Sequence, residues 1–323
     1  MAELLDVVVS RIDEVAQDIR AFELRHPNGV ALPAFTAGSH IDVHLPGGGV
    51  RQYSPLNDEI ERDRYLIAVL RKQMGRGGSA AMHDRVTPGM ALRIGTPRNT
   101  FALDRTAGHS LLIAGGIGIT PLLAMARALH RNGRSFALHY ASRSPARAAF
   151  KDEIAAGPLG SSAAFYHSEG EDSRRPHAAS LVASAPAGTH VYLCGPSGLI
   201  SGVSEAAKNR PDIVLHIEHF AAASSNTVAS ASDDESFSVQ LNRSGRTIKV
   251  VPGQTILDVL RDEGIDIETS CESGVCGTCV TRVLDGEPKH EDNFLSKDDK
   301  AACDRICVCV SRAKAGSTLV LDL

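Results

Sequence analysis

The sequence predicts a multidomain chain: an antiparallel β-barrel domain, then an α/β domain with a parallel sheet, then a small α+β module. Three observations carry this expectation. Up to about Leu103, short alternating stretches are separated by turn-rich segments; from Ser110 the rhythm becomes strand, Gly-rich turn and helix; and six of the seven Cys lie at or after Cys271. The expected boundaries are 1–105 for the barrel, 106–222 for the α/β domain, 223–236 for a linker and 237–323 for the last module.

In the first region, His40-Ile-Asp-Val-His-Leu45 and Tyr65-Leu-Ile-Ala-Val-Leu70 read as strands, and Pro46-Gly-Gly-Gly49 as a turn between strands. Arg51-Gln-Tyr-Ser54 places a cation, an aromatic ring and a hydroxyl together at a strand end. Arg51 suits a phosphate, Tyr53 suits stacking or a hydrogen bond, and Ser54 can reach the edge of a reactive ring. Gly75-Arg-Gly-Gly-Ser79 follows, where Arg76, the amides of Gly77 and Gly78, and the Ser79 hydroxyl can converge on one anion. Taken singly, each segment reads equally well as an ordinary barrel edge or turn.

In the second region, Ser110-Leu-Leu-Ile-Ala114 leads into Gly115-Gly-Ile-Gly-Ile-Thr-Pro121 and a helix-like Leu122 to Leu129. Thr120 is expected as N-cap and Pro121 at the first helical position, with Gly116 and Gly118 opening the turn to a pyrophosphate. The glycine spacing departs from G-x-G-x-x-G, and no acidic residue ends the next strand near Tyr140. That disfavours a typical Rossmann dehydrogenase.

The linker is small, polar and without apolar period. After it, Phe237 to Leu241 and Arg246 to Val251 read as a hairpin, Thr255 to Glu263 as a capped helix and Gly264 as its stop. Cys271, Cys276 and Cys279 then follow the spacing C-x4-C-x2-C, with a further Cys some thirty residues on, the plant-type 2Fe-2S pattern. A structural zinc site would normally show a second short knuckle, which is missing here. The fourth ligand is Cys303, Cys307 or Cys309. Cys307 and Cys309 would face the same way on a strand, so periodicity leaves the choice open.

These motifs, in this order, resemble the phthalate dioxygenase reductase and vanillate demethylase reductase family within the ferredoxin reductase superfamily. The ending Cys309-Val-Ser-Arg-Ala313 with Leu319 to Leu323 carries the resemblance of the last module, a β-grasp ferredoxin. The resemblance implies Cys309 as the fourth ligand, with Cys303 and Cys307 left as buried small apolar residues. It also implies flavin contacts from Arg51 to Ser54, from Ile67, Ala68 and Val69, and from the segment ending at Ser79.

For the second domain, the resemblance implies that the adenosine ribose lies by Ser142 and Arg143. The nicotinamide then meets Cys194, Gly195 and Pro196, while Glu218 and Phe220 stand beside the flavin. FMN and NADH are the expected cofactors, although Ser142 and Arg143 would suit a 2'-phosphate. The implied activity is transfer from NADH to FMN to the 2Fe-2S cluster and on to a Rieske-type terminal oxygenase. Ser54 and Cys194 would orient the reactants, since the hydride step demands no general acid or base. Competing readings are a reductase for a cytochrome P450, a redox-sensing binding protein and a zinc-stabilised flavoprotein.

Composition agrees with this class. Hydrophobic residues make up 43% and charged residues 22%, and a formal net charge of -4 gives no nucleic-acid-binding surface. No run approaches about 18 apolar residues and the N-terminus lacks the pattern of a signal peptide, so neither a membrane span nor export is expected. A cytoplasmic protein follows, with Cys used as ligands or buried thiols.

Overall fold

A computed structural model describes residues 4–72, 77–170, 173–220, 236–265, 267–269, 274 and 277–323. Arg76, most of the expected linker, Cys271 and Cys276 lie outside the described residues. The chain divides into two compact units, Met1–Glu218 and His219–Leu323.

The first unit opens with β1 (Leu4–Ala16), β2 (Ile19–Arg25), β3 (Ser39–His44), β4 (Val50–Tyr53), β5 (Tyr65–Leu70), helix α1 (Gly78–Arg85), β6 (Ala91–Gly95) and β7 (Arg98–Asn99). Among the described residues these strands form one antiparallel sheet in the order β4-β3-β6-β1-β2-β5, with β7 against β3. Alternation puts Val7, Phe22, Ile41, Ile67 and Ile94 on one face, where they are fully buried together. Tyr65 joins them because its hydroxyl donates to the Pro33 carbonyl at 2.5 Å, leaving no unpaired polar atom in the core.

Next come β8 (Ser110–Gly115), α2 (Ile119–Arg131), β9 (Phe136–Ser142), α3 (Lys151–Ala156), β10 (Ala163–His167), α4 (Ala178–Ser184), β11 (His190–Cys194), α5 (Ser197–Ala207) and β12 (Val214–Glu218). The strands pair in parallel in the order β10-β9-β8-β11-β12. β8 is buried along its whole length, as expected of a central parallel strand covered on both faces.

Helix α2 is buried almost all round. Ala21 and Ala68 of the first sheet, with Leu56 from the segment between β4 and β5, share its apolar cluster with Leu112, Leu138 and Tyr140 of the second. Arg127 and Arg131 fix its far side, Arg127 by bonding the Leu56 carbonyl and Arg131 by bonding Asp58 and Glu59 at 2.8 and 2.7 Å.

The second unit contains β13 (Phe237–Leu241), β14 (Thr247–Val250), α6 (Ile256–Asp262), β15 (Val280–Asp285), β16 (Pro288–Lys289), α7 (Lys297–Ala302), β17 (Arg305–Cys307), β18 (Arg312–Ala313) and β19 (Thr318–Leu321). A mixed sheet runs β14-β13-β19-β15-β17, with α6 packed on its apolar face through Ile256, Leu257, Val259 and Leu260. The expected hairpin is β13 and β14. This is the predicted sequence of an antiparallel domain, a parallel domain and a β-grasp module.

Two expectations about local structure need correction. Helix α2 starts at Ile119 after a 3₁₀ turn over Gly116–Gly118, so Gly118 is the N-cap and Pro121 the third helical residue. Thr120 does not cap: its hydroxyl donates to the Ile117 carbonyl at 3.1 Å. A 3₁₀ turn with its own hydrogen bonds shifts the start of the helix, and Pro121 is still tolerated because first-turn amides have no intrahelical acceptor. Cys303 is the second correction. It is only partly buried and takes a left-handed φ of 54° at the end of α7, so it terminates a helix rather than filling a core.

The cap of α6 is as expected. Thr255 accepts from the Asp258 amide at 3.0 Å while the Asp258 carboxylate accepts from the Thr255 amide at 2.9 Å. Thr255→Ala is predicted to cost about 1 kcal/mol. A lower urea midpoint for the unfolding of the second unit, with that of the first unit unmoved, is the expected observation.

Candidate functional site

Three clusters of expected site residues can be placed. The first lies where β4 meets α1. Arg51 and Tyr53 belong to β4 itself, with buried Ser54 just beyond it. Gly77 takes a φ of 75° as N-cap of α1, which only a residue without Cβ adopts at no cost. A Cβ on Gly78 would stand 2.7 Å from Arg51 Nε, so the helix start and the guanidinium share one cramped place. A cavity of about 330 Å³ opens there, walled by Leu45, Pro46, Gly48, Arg51, Gly78 and Arg85.

The Asp84 carboxylate on the cavity wall is bonded to Arg71, so its charge is met outside the two lining guanidiniums. This arrangement fits an anionic group such as a phosphate. Ser79 accepts the Lys72 amide at 3.0 Å. Tyr53 is pushed up to about 12 by burial, with Arg51 pulling the other way, so its phenol stays protonated.

The β5 residues divide by strand alternation. Ile67 and Val69 point into the core of the first sheet, whereas Ala68 faces the opposite side, among the residues around α2. What Ile67 and Val69 can offer a ring is therefore backbone. Sequence reading missed Arg85, because only folding brings the end of α1 to the Pro46–Gly49 turn; a Cβ on Gly47 would lie 2.4 Å from Arg85 Nη1.

The second cluster sits at the carboxyl ends of β8, β11 and β12. Cys194 is in register with Ala114 on one side and Glu218 on the other. A Cβ on Gly118 would stand 2.3 Å from the Cys194 carbonyl oxygen and 3.1 Å from its Sγ, and one on Gly115 would stand 2.5 Å from Pro196. Two loops thus cross with bare backbone in contact, just before the start of α2.

Cys194 is fully buried there, and Glu218 is half-buried with its Oε2 enclosed. Glu218 Oε2 has no hydrogen-bond partner among the described residues, and burial pushes its carboxyl up to about 8. Burial, with the neighbouring Glu218 adding to it, likewise raises the Cys194 thiol well above its ordinary range. Burial thus favours the protonated form of both groups around neutral pH.

At the end of β9, the Ser142 hydroxyl donates to the Ser144 carbonyl and meets His167 Nδ1, both at 2.9 Å. Arg143 is exposed. Phe220 is 40% exposed and falls in the second unit.

The third cluster belongs to the second unit. Cys279 immediately precedes β15, and Cys309 lies in a turn after β17, their Sγ atoms 3.1 Å apart. β17 ends at Cys307, whose carbonyl accepts the amides of Val310 and Ser311. Cys307 and Cys309 are therefore not strand neighbours, and the shared-face expectation fails because the chain turns between them. Hydrogen bonding, from Cys307 first and Cys309 second, draws the Cys279 thiol well below the ordinary thiol range. A sulfur-only donor pair disposed to thiolate fits a soft iron-sulfur group.

The glycines around it are needed for space. A Cβ on Gly274 would lie 2.6 Å from Val310 Cγ2, and one on Gly277 2.2 Å from the Phe294 ring. Asp292, also missed from sequence, ties these segments together. Its carboxylate accepts from the Leu295 amide at 2.8 Å and from Ser311 Oγ at 3.0 Å, while the next residue's amide holds the Gly274 carbonyl at 2.8 Å.

Glu218 generates a pH prediction. Unfolded, it loses its proton near pH 4.5; folded, it keeps that proton until about pH 8. The folded state is thus penalised increasingly as pH rises through that window. Glu218→Gln is expected to leave the melting temperature nearly unchanged at pH 5 and to raise stability by on the order of 2–4 kcal/mol at pH 8.5. Parallel melting curves of the two proteins at both pH values check this.

Family models match the chain in three consecutive pieces: an oxidoreductase FAD-binding domain over residues 6–103, an oxidoreductase NAD-binding domain over 112–205 and a 2Fe-2S iron-sulfur cluster binding domain over 239–314. The chain is 44% identical over 322 residues to the vanillate O-demethylase oxidoreductase of a Pseudomonas sp., covering 99% of this chain and 100% of that protein. The solved structure of phthalate dioxygenase reductase superposes with a TM-score of 0.83 at 40% identity, covering 99% and 98% of the two chains. An intact type IV self-sufficient cytochrome P450 monooxygenase matches with a TM-score of 0.75 at 40% identity, over 99% of this chain and 41% of that one. No helix among the described residues is long and apolar enough to cross a membrane. With a flavin domain, a nucleotide domain and a 2Fe-2S domain in one order along essentially its whole length, the chain is an oxidoreductase that belongs to the family of phthalate dioxygenase and vanillate O-demethylase reductases.

Proposed function

We propose that this chain is the NADH-dependent, FMN-containing reductase of a Rieske-type oxygenase or demethylase, and that it works in the cytoplasm. One observation carries the reading: a junction shaped for a nicotinamide and a sulfur-only pair shaped for an iron cluster are built into a single chain. When bound, the nicotinamide supplies electrons in pairs, the flavin splits the pair and the cluster passes them singly.

The chain's own residues bind and orient. Arg51, Arg76 and the amides of Gly77 and Gly78 hold the flavin phosphate, Ser79 bracing the loop through the Lys72 amide. Tyr53 and Ser54 align the ring, while Ile67, Ala68 and Val69 flank it. Two guanidiniums on one small cavity favour a single phosphate monoester, which supports FMN over FAD. Gly116, Gly118, Thr120 and Pro121 seat the pyrophosphate. Gly195 and Pro196 shape the nicotinamide floor; Cys194 positions the ring, and Glu218 keeps a proton at Oε2 beside it, while Phe220 covers the flavin. The Ser142 hydroxyl is already engaged by the Ser144 carbonyl and His167, which leaves it less free to hold a 2'-phosphate and favours NADH. Cys271, Cys276, Cys279 and Cys309 hold the cluster.

A second reading replaces the oxygenase with a cytochrome P450. Its support is the match of 99% of this chain to 41% of a self-sufficient cytochrome P450 monooxygenase.

An anaerobic NADH titration followed by low-temperature electron paramagnetic resonance tests the proposal. A rhombic signal from a reduced 2Fe-2S centre is expected; flavin bleaching without that signal sinks the cluster assignment. Arg51→Ala should weaken FMN retention by roughly tenfold or more, read by fluorescence of released flavin, since a charge-assisted phosphate contact is worth about 1.5–3 kcal/mol. Turnover with NADPH matching that with NADH, or equal coupling to a P450, would overturn those parts.

A further inference from the structure

Dinucleotide-binding sheets commonly read the adenosine ribose with a carboxylate at the end of the second strand, an acceptor for the sugar hydroxyl. Here β9 ends at Ser142 instead. A serine hydroxyl has one proton, and that of Ser142 goes to the Ser144 carbonyl, which can only accept, at 2.9 Å. His167 Nδ1 meets the same oxygen at 2.9 Å, so that bond runs from the imidazole to the hydroxyl and Nδ1 carries the proton of the neutral ring. Nε2 is left with a lone pair, for which no partner is found among the described residues. The two strand ends are tied together: His167 closes β10 in register with Ser142, and just beyond them the Ser168 and Glu169 amides bond the Ser142 and Arg143 carbonyls at 3.1 and 2.8 Å. Alternation turns His167 and Phe165 to the face of Tyr140 and Ser142, where the Tyr140 and Phe165 rings meet.

We propose that His167 selects NADH over NADPH: its Nε2 lone pair accepts the 2'-hydroxyl of the adenosine ribose, in place of the carboxylate, and turns away a 2'-phosphate. This rests on the NADH reading above and deepens it. A hydroxyl brings a proton that Nε2 can accept. A phosphate brings acceptor oxygens and negative charge, and meets lone pairs at both Nε2 and Ser142 Oγ. Protonation reverses the selector, because an imidazolium donates from Nε2 and attracts a phosphate. Burial, with the Lys151 ammonium of α3 adding to it, holds His167 below the ordinary imidazole range. The other groups around it are Tyr140 on the same face, whose phenol burial keeps protonated, and Arg143 and Glu169, exposed just beyond the strand ends. The Arg174 guanidinium lies over the Tyr166 ring, 5.2 Å from its centroid, on the opposite face. Selection is therefore strongest at and above neutral pH and weakens as pH falls.

Full-length wild type, His167→Asn and His167→Ala test it through NADH- and NADPH-driven reduction of ferricyanide, which needs no terminal oxygenase, between about pH 5.5 and 8.5. Asparagine keeps a donor for Ser142 at the position of Nδ1 but has no lone pair where Nε2 stood, so it separates reading the ribose from bracing Ser142. Near the alkaline end, wild type should prefer NADH in kcat/KM, and both variants should lose roughly tenfold of that preference, the NADH share of the loss appearing in KM. Toward the acid end the wild-type preference should shrink more steeply than that of His167→Asn, whose residual slope reports the titration of the phosphate itself at about pH 6. A wild-type preference that survives intact in His167→Asn overturns the selector alone, whatever His167→Ala does. Parallel pH slopes in wild type and His167→Asn overturn the lone-pair mechanism. Wild type that uses NADPH as readily as NADH overturns the NADH reading itself, and the selector with it.

Discussion

The close crossing of two loops at the carboxyl edge of the parallel sheet governs the rest of the first unit. β8 and β11 run side by side, so the chain leaves both strands at the same level, and one loop must pass over the other. They pass at backbone contact distance, with the Gly118 Cα above the Cys194 carbonyl and Gly115 against Gly195 and Pro196. Any side chain at these glycines would push the loops apart. The direction of α2 follows from that contact, because the helix starts immediately after Gly118. Its direction in turn lays an apolar helix between the two sheets, where it is buried on nearly every side, and brings Arg127 and Arg131 to the segment from Leu56 to Glu59. The joint between the flavin and nucleotide domains is thus set by two residues that have no side chain.

The two units use buried carboxylates in opposite ways. Asp292 is enclosed, yet its oxygens are met by the Phe294 and Leu295 amides and the Ser311 hydroxyl, with Lys300 Nζ 3.7 Å away. A carboxylate so surrounded acts as a structural anchor. It binds the turn that carries Cys309 to the segment that supports Gly274. Glu218 has no such donors, and burial alone keeps its proton on. One acid therefore organises a loop through hydrogen bonds, while the other lies as a neutral, polar surface beside Cys194.

Legibility in the sequence followed the range of the interactions. The strands from His40 and from Tyr65, the hairpin after Phe237 and the Thr255 cap depend on neighbours a few residues away, and alternation or capping chemistry exposes them. The C-x4-C-x2-C spacing is legible for the same reason. Thr120 was misread because a 3₁₀ turn competes with the helix for its position, and propensity does not reveal which wins. The equivalence of Cys307 and Cys309 dissolved because β17 stops after three residues, where Cys307 receives two turn amides. Arg85 and Asp292 had no local signal, since their partners lie tens of residues away and only the fold assembles them.

The chemistry of the family explains why so much of the site is backbone and so little is acid or base. Moving an electron pair between two stacked rings needs position and a dry, uncharged setting more than proton transfer. Glycines supply the position, at Gly78, Gly115 and Gly118 in the first unit and at Gly274 and Gly277 in the second, because each lets a neighbouring backbone or side chain come nearer than a Cβ allows. The uncharged setting comes from burial, which keeps the Glu218 carboxyl, the Cys194 thiol and the Tyr53 phenol protonated around neutral pH. Guanidiniums line the cavity between β4 and α1, and in the second unit two sulfurs meet at Cys279 and Cys309, a donor set suited to a metal. A charged side chain substituted beside Cys194 would therefore disturb transfer even if every cofactor still bound, since it would need solvation that this buried position does not offer.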